Sequence, residues 1–276
     1  MCRSRIKNKR RQEPSCLSQA DVCQDVTDCL FHIYKAILNL GIYYDPWKLS
    51  TTVVLRKPGK PRYDTPKAYR HIALLNTMSK ALTALMAELM AYYTETHQLL
   101  PVHHFGGRPG QTTSDAVHLL VHKIKDAWHK RYVMAVLFLD IEGAFPNTVT
   151  GKLLHSMRKR CLPEKLIAFA GLMLENRCTT LRFDDHTSET IPLNNGIGQG
   201  DLLSMALYQF YNADILEIPI KPQEVAEAYV DDAILIASAK TFEEAHQTLA
   251  EMMNRPGGMV DWSKSHNSSM NTANWH

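Results

Sequence analysis

The chain has 276 residues, 45% hydrophobic and 21% charged, with a net charge of +3. That is enough apolar surface for one large packed domain or two small ones. No apolar run is as long as a membrane span and no apolar stretch opens the chain, so a membrane-spanning or secreted protein is excluded and a soluble intracellular one, nuclear or cytoplasmic, is expected.

The cysteines (Cys2, Cys16, Cys23, Cys29, Cys161 and Cys178) form no CxxC pair, which predicts reduced thiols without disulfide partners. The positive charge is local. Arg3, Arg5, Lys7, Lys9, Arg10 and Arg11 occur without an acid, so the rest of the chain is net acidic. Residues 1–20 are expected to be a basic, disordered leader. A second excess, Lys48, Arg56, Lys57, Lys60, Arg62, Lys67 and Arg70 against Asp64 alone, is interrupted by aromatic residues and prolines and suits a shaped, phosphate-attracting loop.

Apolar residues at helical spacing predict a helix from Asp21 to Asn39, ended by Gly41. Ser50–Leu55 reads as a short strand, followed by the turn Lys57-Pro58-Gly59-Lys60-Pro61. Thr77–Thr96 is a long helix whose methionines fill the core. Phe105–Gly110 is a loop, and Thr113–Trp128 a helix with a hydroxyl residue at its start. Tyr132–Leu139 is an apolar strand ending at Asp140. Thr150–Arg160 and Pro163–Glu175 are helices. Cys178–Phe183 and Thr190–Leu193 form a hairpin around Asp184-Asp185-His186. The Gly-rich turn Asn195–Gly200 leads into a helix, Leu202–Ile215. Glu227–Tyr229 and Ala233–Ala237 are strands flanking Asp231-Asp232, and Phe242–Met253 is a helix. Ser263–His276 is polar and patternless, and is expected to be a disordered tail.

Adjacent acids between apolar strands repel each other, and partial burial raises the cost. A divalent cation held by carboxylate oxygens would relieve Asp231-Asp232 and Asp140. Asp184-Asp185 provides a contrast: its polar flanks mark a solvated turn. Charge pattern alone leaves metal binding and an ordinary acidic turn both open for Asp231-Asp232. Gly196-Ile197-Gly198-Gln199-Gly200-Asp201 lies between the two acidic sites, where glycines permit close backbone approach to a ligand.

In that order, the strand with Asp140, the Gln-Gly turn and the Tyr229-Val230-Asp231-Asp232 hairpin resemble the palm of a reverse transcriptase. Lys57-Pro58-Gly59-Lys60, Tyr69–Leu75 and Phe105–Ala116 resemble the fingers segments of the non-LTR (LINE-type) retrotransposon enzymes. The resemblance runs from Asp21 to Trp262. It implies a right-hand-like mixed α/β fold with fingers over 21–130 and a palm with an antiparallel sheet over 131–262, the enzyme domain proper covering about 50–262. It implies an RNA-directed DNA polymerase that acts on an RNA template, a DNA primer and deoxynucleotides. Asp140, the carbonyl of Ile141, Asp231 and Asp232 would hold two Mg²⁺ ions, with Mn²⁺ as a substitute. Phe145 would lie under the nucleotide sugar and exclude a 2′-hydroxyl. Gln199, Gly200 and Tyr229 would shape the nucleotide pocket, and Lys57 (or its rival Lys60) and Arg70 would meet the phosphates.

The pattern departs from the family at His71 and Met205, where prolines are usual. The polar tail Asn267–His276 contains no lysine where the family's next palm segment carries one, and no thumb, endonuclease or ribonuclease H region is found. A truncated retrotransposon copy is therefore expected, with a catalytically inactive nucleic-acid-binding remnant as the alternative and a metal-dependent nuclease as a more distant one. His118/His122 and His103-His104 are read as surface or interface residues, and Glu142 as solvent-facing.

Overall fold

A computed structural model of the chain describes residues 19–270. It divides into two compact units, one ending at Leu40 and one beginning at Gly41. The described part of the first is one helix, α1 (Gln19–Leu40). The basic cluster of the expected leader lies outside the described residues.

The second unit runs β1 (Leu49–Arg56), β2 (Tyr69–Leu74), α2 (Thr77–Thr96), α3 (Thr113–His129), β3 (Val133–Glu142), α4 (Ala144–Asn147), α5 (Thr150–Lys159) and α6 (Glu164–Leu174). It continues β4 (Arg177–Phe183), β5 (His186–Leu193), α7 (Leu202–Asn212), β6 (Glu224–Tyr229), β7 (Asp232–Ala239), α8 (Phe242–Asn254), α9 (Met259–Ser265) and β8 (Ser269–Met270). Helix starts follow local chemistry. Asn76 caps α2 by accepting the Met78 amide at 2.9 Å, and Thr112 and Asp115 form a reciprocal capping box at α3.

Two four-stranded sheets organise this unit, in the orders β2-β1-β4-β5 and β6-β7-β3-β8. Every pairing in the second is antiparallel, as expected of a palm sheet. α8 packs on β3 and β7, while α7 packs against α2 and α5. Leu153, Met157, Leu203, Leu207, Phe210, Tyr211 and Leu235 are wholly buried in this core. Burying each such side chain stabilises by about 1.5–3 kcal/mol.

The hairpin expected from Cys178–Phe183 and Thr190–Leu193 forms, and β4 pairs in parallel with β1, so it joins the first sheet. Its partner is remote in sequence, and threonines join the strands, with Thr52 Oγ1 and Thr179 Oγ1 at 2.8 Å. The polar end was expected to be disordered from Ser263. Instead α9 continues to Ser265, and Ser269–Met270 pair with Glu142 and Ile141 of β3. Side-chain hydrogen bonds order this stretch without an apolar pattern: Ser263 Oγ donates to the Ser268 carbonyl at 2.7 Å. The Trp262 and His266 rings stack with centroids 4.7 Å apart. Residues 271–276 of that tail lie outside the described residues. His104, read as a surface or interface residue, is fully buried within the fold.

Candidate functional site

β3 and β7 run antiparallel from Val133↔Ala239 to Asp140↔Asp232, so these two acids are direct cross-strand partners at one end of the ladder. β6 pairs with β7 as far as Tyr229↔Asp232, which leaves Val230 and Asp231 as a two-residue hairpin turn. Three carboxylates thus meet at one end of the sheet because a strand end and a tight turn coincide. Val230 has φ +56, a left-handed value that turns of this length require and that β-branched residues rarely adopt.

The electrostatics follow from this geometry. Asp231 is half-buried, and burial first, then the charge of Asp140, pushes its carboxyl pKa up. Asp232 is exposed at its surface, yet partial desolvation of its carboxyl, then the charges of Asp231 and Asp140, push its pKa up. Hard oxygen donors held in mutual repulsion fit a divalent cation of the Mg²⁺ kind. Among the described residues no group of three or more acid, histidine or cysteine side chains is placed so that it could hold a metal ion by itself. A Mg²⁺ ion bound through one or two carboxylates, with phosphates and water completing its shell, needs no such cage.

The neighbouring motifs are tied to this end of the sheet. Ile141 follows Asp140 in β3 and its side chain is buried. Gly143, at φ +62, turns the chain into α4. There the Phe145 ring stacks on Tyr208 of α7 with centroids 5.1 Å apart. The Gly-rich turn closes on α4: the Gly196 amide donates to the Thr148 carbonyl at 2.7 Å, and the Ile197 amide to the Phe145 carbonyl at 2.8 Å. A side chain on Gly196 would lie 2.5 Å from the Pro146 carbonyl oxygen. On its other flank the Gln199 carbonyl accepts the Ala73 amide at 3.0 Å, and Gly200 faces Ile72 and Ala73 of β2. The turn therefore bridges the α4 segment and β2. A cavity of about 370 Å³ opens beside it, lined by Thr52, His71, Ala73, Gln199 and the buried Asp201 among others.

Arg70 sits opposite Leu55 in the β1–β2 hairpin, and the Lys57 amide donates to the Ala68 carbonyl at 2.8 Å. Arg70 and Lys60 are exposed and Lys57 is half-buried. Asp184-Asp185 forms the exposed β4–β5 turn, with Asp184 at φ +47 and 3.4 Å from Arg56.

Sequence reasoning passed over three residues here. Tyr208 is fully buried and its hydroxyl has no hydrogen-bond partner; burial, then the charge of Asp231, raises its pKa. Glu227 is 2% exposed with neither carboxylate oxygen bonded. With Tyr229, Asp140 and Asp232 it lines a groove of about 360 Å³ between α3 and the sheet. Its period-two spacing from Tyr229 within an apolar strand was the available signal. Asn212 of α7 donates to the Val230 carbonyl at 2.6 Å, a link without any sequence signal.

A model of the reverse transcriptase (RNA-dependent DNA polymerase) family matches residues 55–275. The chain is 28% identical over 226 residues to the probable RNA-directed DNA polymerase from transposon BS of Drosophila melanogaster, covering 80% of this chain and 25% of that protein. It is 27% identical over 243 residues to the corresponding X-element protein of the same organism, covering 87% and 26%. The chain spans about a quarter of the length of these relatives. Among solved structures, apo telomerase from Candida tropicalis truncated from its C-terminal domain superposes with a TM-score of 0.58 at 9% identity, over 84% of this chain and 50% of that one. The telomerase of that organism in complex with a fragment of telomeric RNA gives 0.59 at 11%, over 83% and 41%. At these identities the likeness is one of fold.

Proposed function

This chain belongs to the reverse transcriptase (RNA-dependent DNA polymerase) family, and we propose that it provides the site of template-directed nucleotide addition in a non-LTR, LINE-type element. The observation that carries the reading is the in-register facing of Asp140 and Asp232 beside Asp231 in the turn. In the reaction, a primer 3′-oxygen bonds to the α-phosphorus of a deoxynucleotide. The bond to the β-phosphate oxygen breaks, pyrophosphate leaves, and the hydroxyl proton is lost. Asp140, Asp231, Asp232 and the Ile141 carbonyl would hold two Mg²⁺ ions, or Mn²⁺ in their place. These supply charge neutralisation at the phosphoryl oxygens and a lowered pKa for the attacking hydroxyl.

The remaining roles fall to the chain's own side chains. Phe145, fixed against Tyr208, presents a ring edge where a 2′-hydroxyl would collide, which favours DNA building blocks. Gln199 and Gly200, held against β2, shape the pocket for the incoming base and sugar, with Tyr229 on the sheet side. Lys57 or Lys60, with Arg70, meets the triphosphate. A guanidinium suits bidentate contact with phosphate oxygens. RNA template and DNA primer are the partners this chemistry requires.

The test is primer extension on an RNA template with deoxynucleotides and Mg²⁺, comparing wild type with Asp231→Asn. Extension by wild type alone supports the reading. Retained RNA–DNA binding with no extension by either protein would replace it with that of an inactive nucleic-acid-binding remnant.

A further inference from the structure

The Tyr229-Val230-Asp231-Asp232 turn depends on a backbone conformation that its own sequence disfavours. Val230 sits at φ +56, where a Cβ crowds the following carbonyl oxygen and a β-branched residue is a clear outlier. Something outside the turn must hold it there. Two buried residues that the proposed chemistry does not use are placed to do so.

Asn212 closes α7 and is fully buried. Its Nδ2 donates to the Val230 carbonyl at 2.6 Å, and its Oδ1 lies 2.8 Å from Nε2 of His104. The amide orientation fixes the histidine: because Oδ1 can only accept, Nε2 must carry the proton, and Nδ1 is left as a buried acceptor with no partner. Burial lowers the His104 pKa to about 4, so the ring is the neutral donor this chain of bonds needs. His104 itself is anchored from both sides. The Phe105 amide donates to the Ala228 carbonyl at 2.9 Å, and the Ala228 amide to the His103 carbonyl at 3.1 Å. The next residue, Gly106, packs directly on the turn: a Cβ there would lie 2.4 Å from the Val230 nitrogen. The Gly106 carbonyl accepts Nε2 of Gln209, one helical turn before Asn212.

We propose that His104 and Asn212 are positioning residues, which hold the Val230 peptide in its left-handed conformation and thereby aim the Asp231 carboxylate toward Asp140. The peptide joining Val230 to Asp231 is the one whose carbonyl Asn212 grips. Were that peptide to relax toward an ordinary conformation, Asp231 would turn away from its partner while the rest of the sheet stayed paired. The loop 103–107 and helix α7 thus act on the acidic turn from behind, without touching substrate. The inference rests on the nucleotide-addition reading for its consequence in catalysis, while the holding of the turn can be measured without any activity.

The experiment uses the full chain and four variants: Asn212→Ala, Asn212→Ala with Val230→Gly, His104→Leu and His104→Gln. Amide hydrogen exchange is followed in the peptide spanning 225–236, and primer extension is measured alongside. Asn212→Ala and His104→Leu should speed exchange at Val230–Asp232 by about tenfold. In extension they should lower kcat by a similar factor with the KM for deoxynucleotide within about twofold. His104→Gln keeps an N–H for Asn212 and should behave as wild type. Val230→Gly removes the Cβ penalty at positive φ, so it should restore activity to Asn212→Ala, which a merely space-filling asparagine would not allow.

Unchanged exchange at the turn in both Asn212→Ala and His104→Leu overturns the proposal, as does failure of Val230→Gly to rescue a folded Asn212→Ala protein. If Asn212→Ala does not fold, the His104 pair decides, since Leu and Gln differ there in the donated proton. Altered exchange in a chain that extends no primer, wild type included, supports the positioning role and removes the polymerase reading instead.

Discussion

Asp140 and Asp232 are direct partners across the β3–β7 ladder, and both lie on the face of the sheet that also carries Tyr229 and Glu227. Partners in an antiparallel pair stand about 4.5–5.5 Å apart at Cβ, and like charges directly opposite each other destabilise a sheet. The fold keeps this pair at the end of its second sheet and sets a third acid, Asp231, in the adjoining turn. Such an arrangement is costly unless a cation is shared there, and that cost has measurable consequences.

Asp231→Asn should abolish primer extension, with a loss on the order of 10³-fold or more, while raising thermal stability. The sign follows from the raised pKa of Asp231. Its folded-state pKa lies above the unfolded one, so the folded state binds the proton more tightly. The penalty is absent below the unfolded pKa, grows as pH rises toward the folded pKa, and is full above it. The stability difference between wild type and variant should therefore shrink as pH falls through the carboxylate range. Melting curves across pH, without divalent cation, check this; a variant less stable than wild type at neutral pH would contradict it.

Phe145→Val should relax sugar selection. The ring is fixed by stacking on Tyr208, so its loss leaves a space that the neighbouring side chain cannot readily fill. Removing a steric block of this size is worth about 10–200-fold in discrimination. Competition between ribo- and deoxynucleotides in primer extension measures it. An unchanged ratio in a folded variant would assign Phe145 to core packing alone.

Gly106→Ala and Gly110→Ala form a paired test of the loop behind the turn. A Cβ at Gly106 would meet the Val230 nitrogen at 2.4 Å and its Cγ2 at 2.5 Å, whereas Gly110, at φ +73, has nothing within 4 Å. The first should cost about 1–3 kcal/mol through overpacking and depress extension more than stability. The second should cost about 1–2 kcal/mol of backbone strain and leave extension unchanged. Denaturant melts beside extension rates separate the two.

Much of the local structure around the candidate site is legible in the sequence because its signals span only a few residues. The apolar strand into Asp140, the two short strands around Asp231-Asp232 and the polar flanks of Asp184-Asp185 each state their own environment over a few residues. What was not legible depends on distant partners. The parallel pairing of β1 with β4 joins Ser50 to Thr179 across nearly half the chain, and no periodicity encodes it. The stretch from Ser263 to Met270 is ordered by serine hydroxyls and by Trp262 and His266, residue types that a polar composition hides. His104 reads as one more surface or interface histidine because only the fold reveals that α7 lies behind it.

Glu227→Gln should change how stability depends on pH more than how the protein looks at any one pH. Burial among apolar neighbours raises the Glu227 carboxyl to about 7, with the nearby charge of Lys123 opposing the shift. Between its ordinary value of 4.5 and about 7 the folded state holds a proton that the unfolded state releases. Wild-type stability from this group is thus highest below pH 4.5, falls as pH rises through that window, and stays low above it. The loss amounts to at most about 3 kcal/mol. Glutamine cannot ionise, so the variant should match wild type near pH 5 and exceed it at pH 8. Urea melts at those two values decide the matter. Equal stabilities at pH 8 would mean that Lys123 reaches the carboxylate in solution and pairs with it, which would lower its pKa and close the groove between α3 and the sheet.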